Sequence, residues 1–259
     1  MSLKNDILEL LERDRGTAYS GTLLAERFGV SRNAVWKAVN ALKADGHDIL
    51  TDGRRGYLLS NKSDRLSADG IIAYLPDDMK DVGLVVFDKT GSTNDEAKRY
   101  ILQSGNIRAA VIAEQQTAGR TRAGKRFYSP FGTGLYISVI MAMDGEINGR
   151  EQTASDIASA VQRAVKTASG VDTDIVPPCD LYLSGKKVCG ILIEADVDLI
   201  SGRYSRLIAG IGINVTTEDF PDELKDKAVS LGTAAVRCRL AAGIIKELYS
   251  LNDRKGAQK

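Results

Sequence analysis

At 259 residues, 43% hydrophobic and 27% charged, the chain suits two ordinary globular domains better than one small one. A net charge of +1 leaves no global polyelectrolyte character, so any nucleic-acid binding has to come from a local patch. A single histidine, His47, excludes a Ser-His-Asp triad elsewhere and any multi-histidine metal site, and no metal site is expected.

The N-terminus carries acids and no secretory signal, and no apolar run is long enough to span a bilayer, so no membrane association is expected. Cys179, Cys189 and Cys238 form no CxxC pair and read as structural thiols in a reduced, cytoplasmic setting. In chain order, residues 4–13 set Ile7, Leu8, Leu10 and Leu11 on a helical stripe. Ser20 caps a second helix through Phe28, with Leu23, Leu24 and Phe28 facing inward. After Gly29, Ser31 caps a third helix that ends at Gly46, with Val35, Val39 and Leu42 on its apolar face. A helix, a short glycine-containing turn and a Ser-capped helix make the helix-turn-helix pattern.

Two short strands, 48–51 and 56–59, flank an Asp-Gly turn and read as a wing. Arg32, Asn33 and Lys37 near the start of the third helix are placed to touch base edges, and Arg54 and Arg55 at the wing tip to touch phosphates. Over residues 31–56 these cations and Lys43 outnumber Asp45, Asp48 and Asp52, although residues 1–60 as a whole are nearly balanced. A lone winged helix makes few phosphate contacts, so a homodimer on a two-part operator is expected. The expected domains are 1–60 for DNA binding, a polar linker at 61–66, and a second domain over 67–259.

In the second domain a strand at 82–87 leads into Gly91-Ser92-Thr93-Asn94, where Thr93 or Asn94 caps a helix at 95–104. Short hydroxyl side chains at such a turn either cap the helix or hydrogen-bond a polar ligand. The apolar segments 109–113 and 135–143 enclose a glycine-punctuated loop with four cations, Arg120, Arg122, Lys125 and Arg126. Glycines let backbone N–H groups approach an anion, and arginine forks bind carboxylate or phosphate, so the loop reads as a cradle for a small anion. A helix at 153–168, a hairpin of 181–183 with 187–194 around Ser184-Gly185, and a strand at 204–213 follow. The strand carries alternating glycines, Gly210 and Gly212, which signal close packing or approach to a ligand. The whole is α+β: a winged helix followed by a mixed sheet with packed helices.

These residues resemble the biotin protein ligases, specifically the bifunctional ligase and biotin-operon repressors with an N-terminal winged helix. The resemblance rests on Gly91 to Asn94, on the loop from Gln116 to Ser129, on Asp180 to Leu183 with Gly185 to Leu192, and on Gly210 to Val215, and it spans residues 1 to about 250. It implies a class II synthetase-like fold and a two-step reaction. Biotin and MgATP give biotinyl-5'-AMP and pyrophosphate, and the activated carboxyl passes to a lysine of a biotin carboxyl carrier protein.

The resemblance also distributes roles. Arg120 and Arg122 are the catalytic cations that touch the biotin carboxyl or the adenylate phosphate. Ser92, Thr93, Asn94, Gln116, Gly119, Gly190 and Ile191 join them around biotin, and Arg122, Lys125, Phe127 and Asn214 serve ATP, with Phe127 stacking on adenine. Lys186 and Lys187 lie on a turn that the family carries as a surface feature.

Three departures stand out. The family's Lys-Trp-Pro-Asn-Asp run aligns with Val176 to Asp180, which puts Val176 at the lysine position and Cys179 at the asparagine position. A valine stabilises no phosphoryl oxyanion, and losing one such donor costs on the order of 10²- to 10³-fold in rate. Lys125 or Lys187 would have to reach in instead. Thr121 replaces a loop glycine, and the small C-terminal β-barrel usual in the family is expected to be absent. Two readings follow: a working biotin ligase and repressor, placed first because the ligand loop is intact, or a repressor that senses biotin or biotinyl-AMP with impaired catalysis.

Overall fold

The computed structural model describes residues 2–53, 55–146, 149–198, 203–234 and 237–256. Arg54, one of the two wing-tip cations, lies outside them. Three helices open the chain: α1 (Leu3–Arg13), α2 (Gly21–Phe28) and α3 (Arg32–Ala44). Ser2, Ser20 and Ser31 each accept a bond from a first-turn backbone N–H, and Gly29 closes α2 in the left-handed region. The wing is β1 (Ile49–Asp52) paired antiparallel with β2 (Gly56–Leu59). Ile7, Leu8, Leu11, Leu24, Val35, Val39, Leu42 and Leu59 form a core of their own, drawn entirely from residues 7–59. Leu24 is fully buried as expected, but Leu23 is 48% exposed, because the inward stripe of α2 runs through Leu24 and Ala25 instead.

The second domain is one seven-stranded sheet. Its strands are β3 (Gly83–Phe87), β4 (Ala109–Ala113), β5 (Gly134–Glu146), β6 (Asp174–Val176), β7 (Asp180–Leu183), β8 (Lys186–Asp198) and β9 (Arg203–Asn214), in the order β3-β4-β5-β9-β8-β7-β6. Only β3 and β4 run parallel, and α5 (Thr93–Ser104) makes their crossover. The long helices α6 (Arg150–Ser169) and α7 (Arg237–Gly256) cover one face and α5 covers part of the other. This explains the uninterrupted apolar run of β4: Ala110 and Ile112 face α6 and α7, while Ala109 and Val111 face α5. The five-residue α4 (Ala68–Ile72) and the edge strand β6 have no periodic signal long enough to be read from sequence. All three cysteines are free and buried, and burial pushes their thiols up, Cys238 to about 12.

The first domain sits against the second through α1. Tyr74 Oη donates to the backbone carbonyl of Glu12 at 2.9 Å and to its carboxylate at 3.0 Å, and Lys80 pairs with Glu9 at 3.0 Å. Beside this seam His47 is 5% exposed, with Nδ1 unpartnered. Burial lowers its pKa from the ordinary 6.5 to about 4, against a smaller opposing pull from Asp45, while Arg65, Lys4 and Arg15 add to the lowering. Between those two values the unfolded chain binds the extra proton, so stability is complete above pH 6.5 and falls as pH drops toward 4. The full swing is roughly 3 kcal/mol. Urea unfolding from pH 7 to 4 should therefore show a shallower loss for His47→Leu than for the parent chain, and equal slopes would assign the acid sensitivity to the carboxylates.

Candidate active-site cleft and DNA-facing surface

The cleft forms on the face of the sheet that α5 leaves open. Its floor comes from cross-strand neighbours, Gly210 beside Leu192 and Gly212 beside Gly190, with the buried Ser138 and Tyr136 continuing the two rows on β5. Strand alternation sends Ala209, Ile211 and Ile213 into the core and leaves Gly210 and Gly212 facing the cleft. Both glycines are required by close approach. A Cβ on Gly210 would stand 2.2 Å from Asn94 Oδ1, and one on Gly212 2.5 Å from the Phe127 ring.

The turn into α5 supplies one wall. Ser92 takes the N-cap position without a side-chain cap, and Thr93 and Asn94 lie inside the first turn, so neither caps the helix as expected. Their side chains turn to the cleft instead. Gln116 Oε1 accepts from the Thr93 N–H at 2.8 Å and from its hydroxyl at 3.1 Å, while Gln116 Nε2 donates to Ser129 at 3.2 Å. Asn94 Nδ2 donates to Glu194 at 2.6 Å, and the Ser138 hydroxyl bonds both Thr93 and Asn94. Gly119 packs so closely on Gln116 that a Cβ would come within 2.9 Å of Nε2.

The arginine loop folds back on itself as a small hairpin. Arg120 bridges Arg126, Thr121 N–H donates to Lys125 O at 2.8 Å, and Phe127 N–H donates to Gly119 O at 2.8 Å. Gly124 supplies the positive φ at the tip, while Thr121 keeps an ordinary backbone and is tolerated. The guanidinium of Arg120 grips Asp95 with two bonds of 3.0 and 2.7 Å, and those bonds hold the Asp95 carboxyl below its usual range. Arg122 donates to Asp180 at 2.9 Å. Lys125 is exposed and lines neither the cleft nor the neighbouring cavity.

Lys187 is not the surface lysine that the family resemblance implies; of the two lysines that could reach in, it is the one that does. Its ammonium lies in the cleft, 2.8 Å from Asp180, with the stem passing over Gly190. The cause is a bulge in β8: Leu181 pairs with Cys189 but Tyr182 pairs with Lys187, which leaves Val188 extra. Val188 and Cys189 then both enter the core, and Lys187 is re-aimed to the opposite face. Val176, the position aligned with the family lysine, sits on the edge strand β6, is 38% exposed and does not line the cleft. The cations of the cleft are therefore Arg120, Arg122 and Lys187. The sequence reading offered Lys187 only as an alternative to Lys125, and it gave no role to Asp180, which holds Arg122 and Lys187, or to Ser138 and Glu194, which hold Thr93 and Asn94.

Phe127 and Lys187 stand between the cleft and a second cavity of about 700 Å³ that includes its solvent-filled mouth, lined also by Tyr128, Tyr182, Asn214 and Phe220. Asn214 is buried there, and its amide donates to Val229 O at 3.2 Å. Phe127 has its ring laid over Gly190 and Gly212. Ile191 reaches the cleft only at its margin, its side chain belonging to the core. On the first domain Arg32, Asn33, Lys37 and Arg55 are all exposed, on α3 and the wing as expected. Arg55 pairs loosely with Asp52 at 3.7 Å.

A winged helix joined to a mixed sheet with a hydroxyl-and-cation cleft defines a class. A model of the HTH domain matches residues 4–58, and a model of the Biotin/lipoate A/B protein ligase family matches residues 86–214. The Bifunctional ligase/repressor BirA of Bacillus subtilis is 34% identical over 249 residues, 95% of this chain and 76% of that protein. Its Escherichia coli counterpart is 31% identical over 240 residues, 90% and 72% respectively. The Aquifex aeolicus biotin protein ligase, solved in complex with biotin and ATP, superposes with a TM-score of 0.55 at 28% identity, covering 68% of this chain and 72% of that one. The chain belongs to the family of bifunctional ligase/repressor proteins. No described helix is long and apolar enough to cross a membrane.

Proposed function

We propose that this protein activates biotin with ATP to biotinyl-5'-AMP, transfers the biotinyl group to a lysine of a biotin carboxyl carrier protein, and represses transcription from operator DNA as a homodimer in the cytoplasm. Residues 1–60 serve DNA, 61–66 connect, and the remainder carries the chemistry. The observation that carries the reading is a single cleft that brings neutral hydrogen-bonding groups together with three cations.

Ser92, Thr93, Asn94 and Gln116 suit a neutral polar ring system, with Gly119, Gly190 and Ile191 closing around it. Arg120 and Arg122 suit the carboxylate, and the cavity beyond Phe127, reaching Asn214, suits the nucleotide. A carboxylate oxygen attacks the α-phosphorus of ATP, the bond to the pyrophosphate leaving group breaks, and two anions must be brought together. Arg122 and Lys187 flank that point and oppose the charge that builds there. Lys125 is not needed for this. Among the described residues no group of three or more His, Cys, Asp or Glu side chains is placed to hold a metal ion, so Mg2+ is assigned to the triphosphate itself.

The alternative of a repressor with impaired catalysis rested on Val176 and on the expected absence of the C-terminal β-barrel, and the first of these grounds is met by another cation. Lys187 in the cleft supports the working enzyme instead. Purified protein with biotin, MgATP and a biotin carboxyl carrier domain should add one biotinyl mass to the acceptor lysine, and only with ATP. No mass gain, with supplied biotinyl-5'-AMP still bound, would return the sensing repressor to first place.

A further inference from the structure

The chain has one tryptophan, Trp36, and it is 55% exposed. It sits in the first half of α3, whose opposite side puts Val35, Ala38, Val39 and Leu42 into the domain core. The core is complete without the indole, which belongs neither to it nor to the half-buried residues around it. On the helix surface, positions three and four apart are neighbours, so Arg32, Asn33 and Asn40 border Trp36, with Lys37 beside it. Among the described residues Arg32, Asn33 and Lys37 make no ion pair or side-chain hydrogen bond. A large apolar ring is thus held in water at the centre of unengaged cations and amides.

We infer that Trp36 reads base identity in the major groove, packing its indole on thymine methyl groups while the flanking residues take base edges and phosphates. This rests on the operator-binding reading above. The chemistry narrows the target. Among the four bases the C5-methyl of thymine is the apolar group displayed in the major groove, and an α-helix fits that groove. The N-terminal half of the second helix of a helix-turn-helix is the part that meets base edges. The free cations favour a polyanion over an apolar protein surface as the partner of this face.

A duplex enriched from a random pool by the full-length protein, with biotin, ATP and Mg2+ present, supplies the probe. Because Trp36 is the sole tryptophan, its emission reports the contact directly, and it should shift and quench as the selected duplex saturates the protein. Trp36→Ala should bind the selected duplex about ten- to a hundredfold more weakly and Trp36→Phe within a few-fold of the parent. Scrambled-duplex affinity and the salt slope should be unchanged in both. Thymine-to-uracil replacement, which removes only the methyl, should weaken the parent at one or two positions and leave Trp36→Ala indifferent.

Unaltered emission at saturation, or Trp36→Ala binding the selected duplex as the parent does, overturns the assignment. So does an equal loss on selected and scrambled duplexes, or an emission shift produced by protein concentration alone, which would make the partner a second copy. A parent protein that enriches no duplex removes the operator-binding reading itself and this inference with it, an outcome distinct from binding that ignores Trp36.

Discussion

Replacing Lys187 by alanine should slow biotin-dependent pyrophosphate release by on the order of 10²- to 10³-fold, the usual cost of losing one donor aimed at developing charge. The loss should fall on kcat more than on KM, because charge at the phosphorus peaks in the transition state. Folding should be spared. The backbone of Lys187 keeps its bonds to Lys227 and Val229 at 2.8 and 3.0 Å, and Asp180 keeps Arg122 and the Ile191 N–H. Val176→Lys is the matched control and should leave the rate near that of the parent, since that position opens to solvent. Pyrophosphate release at saturating biotin and ATP decides the matter. A rate untouched in Lys187→Ala but raised by Val176→Lys would move the cation of the site to the edge strand.

The largest loss of stability is expected from Arg237→Ala. The Arg237 side chain is 4% exposed and joins four parts of the fold. It donates to Asp64 in the connecting segment at 2.9 Å, to Glu114 at the root of the arginine loop, and to the Gly134 carbonyl at the start of β5 at 3.2 Å, all from the first turn of α7. Glu114 is 1% exposed and otherwise has the Leu66 N–H at 2.9 Å and the more distant Arg65 at 3.5 Å. Removing the guanidinium strands a buried carboxylate, which costs about 3–5 kcal/mol, a large share of the 5–15 kcal/mol typical of a domain. Urea unfolding measures it. Glu114→Gln in the same background should restore part of the loss, since it deletes the stranded charge. A loss under about 1 kcal/mol, with no coupling between the two positions, would mean that water already reaches this cluster.

The winged helix was legible almost to the residue, because its signals are local. Serine caps, Gly29 and the period of Val35, Val39 and Leu42 act within a turn or two of the chain. Strand β4 was legible to its ends and β9 to within a residue for the same reason, and the alternation of Gly210 and Gly212 marked the cleft floor before any strand was paired. The interior positions that the sequence misassigned or left open have a different cause. Leu23 was misassigned because an eight-residue helix leaves the position of its buried stripe ambiguous until a partner helix packs on it. At Thr93 and Asn94 the sequence left capping and ligand-facing both open, because the two uses need the same side chains. What decides between them is Gln116, Ser138 and Glu194, which arrive from three distant strands and loops.

Lys187 shows the division most sharply. By itself the sequence determined which segments pair with water and which with a core, and it placed a cationic, glycine-spaced loop beside a hydroxyl-bearing turn. Strict alternation from Gly190 would have sent Lys187 away from the cleft. The register of β7 against β8 adds one residue at Val188 and reverses that direction. Pairing register is a property of two strands and of the core they share, so only the tertiary structure decided which lysine faces the cleft and that Val176 does not.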